Sequence, residues 1–233
     1  MKKPELSIVI PALNEEKNIG KLLESVKAQR FPCEIIVADA GSKDRTVEIA
    51  KSYGAKIVKG GLPAVGRNNG ARVAKSDPLL FLDADVLLQE SFLKFCFDKI
   101  KKKKLGVATC YGLPLSKNIL DIIAFEITNL WMEMFKRLKP YARGFCIFAS
   151  KKVHNRIEGF DESLRYGEDF DYIKRAAKIA KFDVLDRVVF TSVRRFEKEG
   201  RIKCFARFIY LAIYRLFNGE MKKDANYQYN HYD

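Results

Sequence analysis

Leu79-Leu80-Phe81-Leu82-Asp83-Ala84-Asp85-Val86 carries four apolar residues that run straight into two carboxylates two positions apart. A short continuous apolar run fits a strand covered on both faces. Aspartate forms strands poorly, and a carboxylate taken out of water needs a partner. Two of them at one strand end call for concentrated positive charge, most simply a divalent metal with the phosphate it binds. The competing reading is a solvated loop just past the strand, and the D-x-D pair alone does not separate the two.

The residues before this stretch alternate strand and helix signals. Leu6–Ile10 is a β-rich run stopped by Pro11, and Glu15–Gln29 is helical, with Ile19, Leu22, Leu23 and Val26 at helix spacing. Glu34–Ala38 is a second strand. It leads through Asp39-Ala40-Gly41-Ser42-Lys43-Asp44 into a capped helix, Thr46–Tyr53. Lys56–Val58 is a third strand, Ala64–Ala74 a third helix, and Leu79–Leu82 the fourth strand. This repetition predicts an α/β fold: a mostly parallel sheet with helices on both faces. Ligands of such sheets bind at the carboxyl ends of the strands. Pro11–Asn14, Asp39, Gly60 and Asp83–Asp85 all fall at such ends and are expected to converge on one crevice.

Past residue 90 the pattern changes. Ser91–Lys101 reads as a helix ending in the solvated run Lys101–Lys104, and Leu105–Tyr111 as a strand. Ile119, Ile122, Ile123, Leu130, Trp131, Met134 and Leu138 trace one face of a long amphipathic helix. Gly144–Ser150 is another strand. Glu168, Asp169 and Asp171 follow Gly167 and open a helix at Tyr172–Lys181, where the dipole favours acids. A carboxylate there that holds no metal can also serve as a general base.

The 233 residues and their 48% apolar content suit a well-packed core and exclude disorder. With 43 Lys and Arg against 29 Asp and Glu, the formal charge is +14, which attracts a nucleotide, a nucleic acid or an acidic membrane. Five scattered cysteines without C-x-x-C spacing argue against a zinc site and a disulfide framework, and fit a reducing compartment. The Lys2-Lys3 start does not lead into a signal peptide, because its apolar run stops at Pro11. Ile202–Phe217, the nearest approach to a spanning segment, is interrupted by Lys203, Arg207 and Arg215. A cytoplasmic protein is expected, with the inner face of the cell membrane as the alternative location.

Four stretches together carry a resemblance. Ser7-Ile8-Val9-Ile10-Pro11-Ala12-Leu13-Asn14-Glu15 resembles the opening of family 2 glycosyltransferases, and Ile36–Thr46 resembles their second motif. Phe81–Asp85 resembles their metal-binding D-x-D. Gly159-Phe160-Asp161-Glu162 with Gly167-Glu168-Asp169 resembles their acceptor-side motif. The match runs in order from residue 5 to about 180. It implies the GT-A fold and an inverting, metal-dependent transfer of a sugar from a nucleoside-diphosphate sugar to an acceptor hydroxyl. The resemblance places Pro11, Ala12, Glu15 and Asp39 around the nucleotide, Arg67 near its diphosphate, and Asp83 near the ribose. Asp85 would hold Mn or Mg, Asp169 would be the general base, and Glu168 would stand on the acceptor side. A UDP-sugar is favoured, a GDP-sugar remains open, and the acceptor is a saccharide or a lipid-linked molecule.

The chain also departs from relatives. Leu87 stands where the polyprenyl-phosphate sugar synthases of the family often have glutamine. Those enzymes transfer to a phosphate and need no base, so Glu168-Asp169 favours a hydroxyl acceptor. The Q-x-x-R-W motif of processive members is absent. Ser192-Val193-Arg194-Arg195-Phe196 stands after the acceptor motif, and its paired arginines either close over the diphosphate or form a basic surface turn. His154 and His231 are assigned no metal. The domain is drawn at 1–195, with 196–233 as an amphipathic helical extension and tail. Its basic stripe at 201–217 packs on the domain or a second subunit, or contacts an anionic membrane. A nucleotidyltransferase would need a glycine-rich loop after the first strand. A nucleic-acid-binding protein would need basic rather than acidic strand ends, so no nucleic-acid partner is expected.

Overall fold

The computed structural model describes residues 4–204, together with 206, 210, 221 and 222. Its first half follows the predicted alternation: β1 (Leu6–Ala12), α1 (Ile19–Ala28), β2 (Cys33–Asp39), α2 (Thr46–Ser52), β3 (Lys56–Lys59), α3 (Pro63–Val73) and β4 (Leu79–Leu82). Then come β5 (Val86–Leu88), α4 (Phe92–Lys103), β6 (Val107–Pro114), α5 (Ile119–Phe135), β7 (Cys146–Ala149) and α6 (Lys151–Arg156). β8 (Leu164–Tyr166), α7 (Glu168–Ile179), β9 (Phe182–Thr191), α8 (Arg194–Glu199) and β10 (Met221–Lys222) complete the order. The predicted helix at 201–217 lies largely outside the described residues.

Eight strands form one sheet in the order β3-β2-β1-β4-β7-β6-β9-β5. β3, β2, β1 and β4 pair in parallel, as do β6 and β9, while β7 and β5 run against their neighbours. The sheet is therefore mixed, with most strands pointing one way. Side chains alternate faces along a strand, and the two cores show it. Ile8, Ile10, Leu80 and Leu82 enter the core that α1 and α4 cover with Leu22, Leu23, Phe92 and Leu93. Val9, Leu79 and Phe81 enter the opposite core with Ala64 and Ala71 of α3 and Tyr172 and Ile173 of α7. Burial on both faces explains why Leu79–Leu82 is apolar without alternation.

Helix α3 lies close against β1 because of its glycines. A Cβ at Gly70 would stand 2.2 Å from Val9 Cγ1, and one at Gly66 would stand 3.2 Å from Pro11 Cβ. That approach brings Arg67 under the sheet's carboxyl edge. Helix α1 begins at Ile19 rather than Glu15, because residues 14–16 are engaged in the loop after β1. The Asn14 and Glu15 amides donate to the side chains of Ser42 and Thr46, and the Glu16 amide donates to Asp44. β5 was not anticipated; it is a three-residue strand held antiparallel to β9. All five cysteines are free thiols, as their scatter led us to expect.

Helix α5 has the predicted amphipathicity, but its apolar stripe faces outward. Asp121, Asn129, Ala124, Phe125 and Met132 are buried, whereas Ile127, Leu130 and Trp131 are more than half exposed. The inward polar groups are satisfied. The Asn129 amide bonds both the N–H and the C=O of Gly112 in β6, at 3.1 and 2.9 Å. Arg201 donates two 2.8 Å bonds to Asp121, whose carboxyl is thereby held below the usual range.

His154 is a core residue, hydrogen-bonded through Nδ1 to Tyr172 Oη at 3.0 Å and packed beside Phe81. Burial pushes its imidazole down to about 4, helped by Arg175, Arg72 and Lys151. The unfolded chain, with an ordinary histidine near 6.5, binds the proton first as pH falls. The folded state should therefore lose up to about 3 kcal/mol between pH 6.5 and pH 4, and none above that window. Urea unfolding across this range should show the slope in the wild type and a flatter profile in His154→Gln.

Candidate active site

A cavity of about 300 Å³ opens at the carboxyl edge of the sheet. Its walls come from the loop after β1 (Pro11, Ala12, Glu15), the D-x-D turn (Asp83, Asp85), the start of α7 (Glu168, Asp169) and the residues after β9 (Arg194, Arg195). Three of the four strand ends singled out in the sequence contribute: the first, the fourth and, through Gly61, the third. Asp39 ends β2 as expected but is not among the lining residues. Its carboxylate accepts from the amides of Gly41 and Ser42 and shapes that turn.

Arg67 joins two parts of the lining. It is 2% exposed, and one Nη donates to Glu168 Oε1 at 2.7 Å. The other donates to Asp83 Oδ1 at 2.8 Å and to the Gly144 carbonyl at 3.2 Å. Burial opposes its charge, but Asp83, Glu168 and Asp169 outweigh burial and raise its pKa above the ordinary arginine value. Its buried Nε has no hydrogen-bond partner. Gly144 packs closely beside it: a Cβ there would lie 3.1 Å from both Arg67 Nη2 and Asp169 Oδ2, a tight contact.

A second arginine closes the side of the cavity formed by the loop after β1. Arg194 forms a two-pronged pair with the buried carboxylate of Glu15, and its Nε lies 3.4 Å from Asp85 Oδ2. The bond across 179 residues of sequence was not foreseeable from either motif alone. Burial pushes the Asp85 carboxyl up to about 7, and the neighbouring Asp83 and Glu15 add to this against the pull of Arg194.

Arg143 was missed in the sequence. It lines the cavity, donates to Thr128 Oγ1 at 3.1 Å, and lies 4.0 Å over the Phe125 ring. Burial lowers its pKa from the ordinary arginine value. Its only signal was an arginine just before the strand at 146–149, which is no motif.

Five carboxylates, Glu15, Asp83, Asp85, Glu168 and Asp169, thus meet four arginines, 67, 143, 194 and 195, on a chain whose total charge is strongly positive. The hard oxygen donors of the D-x-D turn and the elevated Asp85 pKa fit a divalent cation such as Mg or Mn. No group of three or more His, Cys, Asp or Glu poised for a metal occurs among the described residues. Leu87 of β5, paired with Phe190 of β9, supplies no donor. Among the residues present, Asp85 is the carboxylate that would hold such a cation.

Residues 7–149 match the family model described as Glycosyl transferase family 2. A 4,4'-diaponeurosporenoate glycosyltransferase of Staphylococcus aureus is 34% identical over 141 residues, 57% of this chain and 35% of the relative. The chain thus spans about a third of the length of such curated relatives. Among solved structures, S. aureus TarS 1-349 in complex with UDP-GlcNAc aligns with a TM-score of 0.66 at 22% identity, over 81% of this chain and 58% of that one. The mannosyltransferase PcManGT of Pyrobaculum calidifontis, in complex with GDP-Man and Mn2+, aligns at 0.69 and 18% identity, over 90% and 65%. The sheet and its helices are a GT-A fold.

Removing Arg67 would leave Asp83 and Glu168 facing each other without their shared cation. Arg67→Met should lower unfolding free energy by about 3 kcal/mol, the scale for stranding one partner of a buried pair. Urea denaturation checks this, and adding Glu168→Gln to Arg67→Met should recover part of the loss.

Proposed function

This chain belongs to glycosyl transferase family 2, and on that premise we propose that it moves a sugar from a nucleoside-diphosphate sugar to an acceptor hydroxyl, with inversion. The observation that carries this reading is the single cavity in which the D-x-D turn and the Glu168-Asp169 pair meet through Arg67. Pro11, Ala12 and Glu15 form the nucleotide wall, and Asp39 contributes through the turn it shapes. Asp83 faces the ribose. Arg194 and Arg195 stand where a diphosphate would be clamped, and Arg194 would exchange its contact with Glu15 for phosphate oxygens.

Asp169 takes the proton of the acceptor hydroxyl as its oxygen attacks the anomeric carbon. The bond from that carbon to the diphosphate oxygen breaks, and the nucleoside diphosphate leaves with the electron pair. One displacement from the face opposite the leaving group inverts the configuration. Glu168 holds the acceptor side in place through Arg67. A divalent cation at Asp85, when bound, would neutralise charge that develops on the leaving diphosphate.

The donors named with the two structural neighbours are UDP-GlcNAc and GDP-Man, which supports a nucleoside-diphosphate sugar and leaves the base open. A UDP-sugar is the preferred donor, and a saccharide or lipid-linked hydroxyl the acceptor. The catalytic unit is taken as 1–195 with 196–233 as its extension, although Phe196 already lines the cavity. No helix among the described residues is long and apolar enough to cross a membrane, and the proposal places the reaction in the cytoplasm or at the inner membrane face.

A thermal-shift screen of UDP-, GDP- and dTDP-sugars with and without Mn2+ tests the reading. One nucleotide should raise the melting temperature only with metal present, and Asp85→Ala should erase that dependence. Asp169→Asn should keep the shift while transfer falls by about 10²–10⁴-fold, the usual contribution of a positioned base. An active Asp169→Asn enzyme would remove that residue from the mechanism.

A further inference from the structure

Helix α5 buries Asp121 and Asn129 beside Phe125 and Met132 but leaves most of its large apolar residues exposed, unlike a helix whose apolar face covers a core. Ile119, Ile127, Leu130 and Met134 are each more than 60% exposed, and Ile123 and Trp131 about half. At about 100° per residue these six fall within an arc of about 120°, along about 22 Å of helix axis. Isolated exposed apolar residues are ordinary, but a continuous stripe marks a contact surface.

The ends of the stripe say what contacts it. Lys117 precedes the helix and Arg137 and Lys139 follow it, all three exposed. Glu126, at the margin, is the exposed acid nearest the stripe, while Glu133 is paired with Lys136. Just beyond the Arg201–Asp121 pair, Ile202 is 86% exposed and Lys203 is also exposed. Apolar side chains, a tryptophan packed 4.3 Å from Phe135, and flanking cations match the boundary between lipid headgroups and acyl chains. A second copy fits less well. One helix stripe is small beside the ~1,200–2,000 Å² of a stable protein interface, and two chains of charge +14 repel each other.

We propose that the outward face of α5 docks this protein in the interfacial layer of an anionic membrane. Phe125, on the inward side of the same helix, lines the cavity. Docking would therefore hold the cavity beside the lipid surface without any spanning segment. The proposal stands independently of which donor or acceptor the site takes.

Trp131 is the only tryptophan of the chain, so its emission reports on this face alone. Vesicles of phosphatidylcholine mixed with phosphatidylglycerol should shift that emission to the blue at low salt and sediment with the protein. Phosphatidylcholine alone should bind about tenfold less, and salt should weaken the anionic binding. Ile127→Glu with Leu130→Glu should keep the wild-type thermal transition and lose at least about tenfold in vesicle affinity. Three results would overturn the proposal: no vesicle binding, equal binding by the double variant, or a Trp131 already blue and shielded from acrylamide without lipid. The last would mean that another segment or a second copy covers the stripe.

Discussion

The Arg67 guanidinium is almost fully out of water, and two carboxylates far apart in the chain are bonded to it. A buried charge is tolerated only when its partners are close and well aimed, and the fork geometry of arginine meets that condition for two acids at once. Asp83 comes from the end of the fourth strand and Glu168 from the first turn of α7. Neither could stay beside the other without the cation. The position of Arg67 depends in turn on the close packing of α3 against β1, which Gly66 and Gly70 permit. One helix face without side chains thus places the group around which both parts of the cavity are arranged.

The second constraint is charge. The chain is strongly basic, yet the crevice gathers five carboxylates beside four arginines. Glu15 and Asp85 draw Arg194 across from the far end of the sheet, and burial, with Asp83 and Glu15 adding to it, keeps the Asp85 carboxyl above its ordinary pKa despite this arginine. The proposed function would bring a diphosphate with its own divalent cation into this place. The same features count against a nucleic-acid-binding face, which would present cations where this cavity presents carboxylates.

Much of the fold was legible because its signals are local. Leu79–Leu82 needed no context beyond its own apolar run, and the structure gives those four residues as β4. The carboxylates could be placed at strand ends because parallel sheets bind ligands there. What escaped was set by distant partners. The start of α1 moved to Ile19 because the 42–46 loop captures the residues before it. Arg143 and the Glu15–Arg194 pair depend on tertiary approach alone. The periodicity of α5 was plain, but not which face turns inward; the Asn129–Gly112 and Asp121–Arg201 bonds decide that.

The account rests on one displacement across one cavity, with the leaving group on the D-x-D side and the base on the Asp169 side. The most direct measurement is the anomeric configuration of the glycosidic bond formed on the acceptor, read by NMR, using whichever nucleotide-sugar stabilises the protein. The account expects the configuration opposite to that of the donor. A product that retains the donor configuration would contradict it, because retention requires either a second displacement or attack from the leaving-group face.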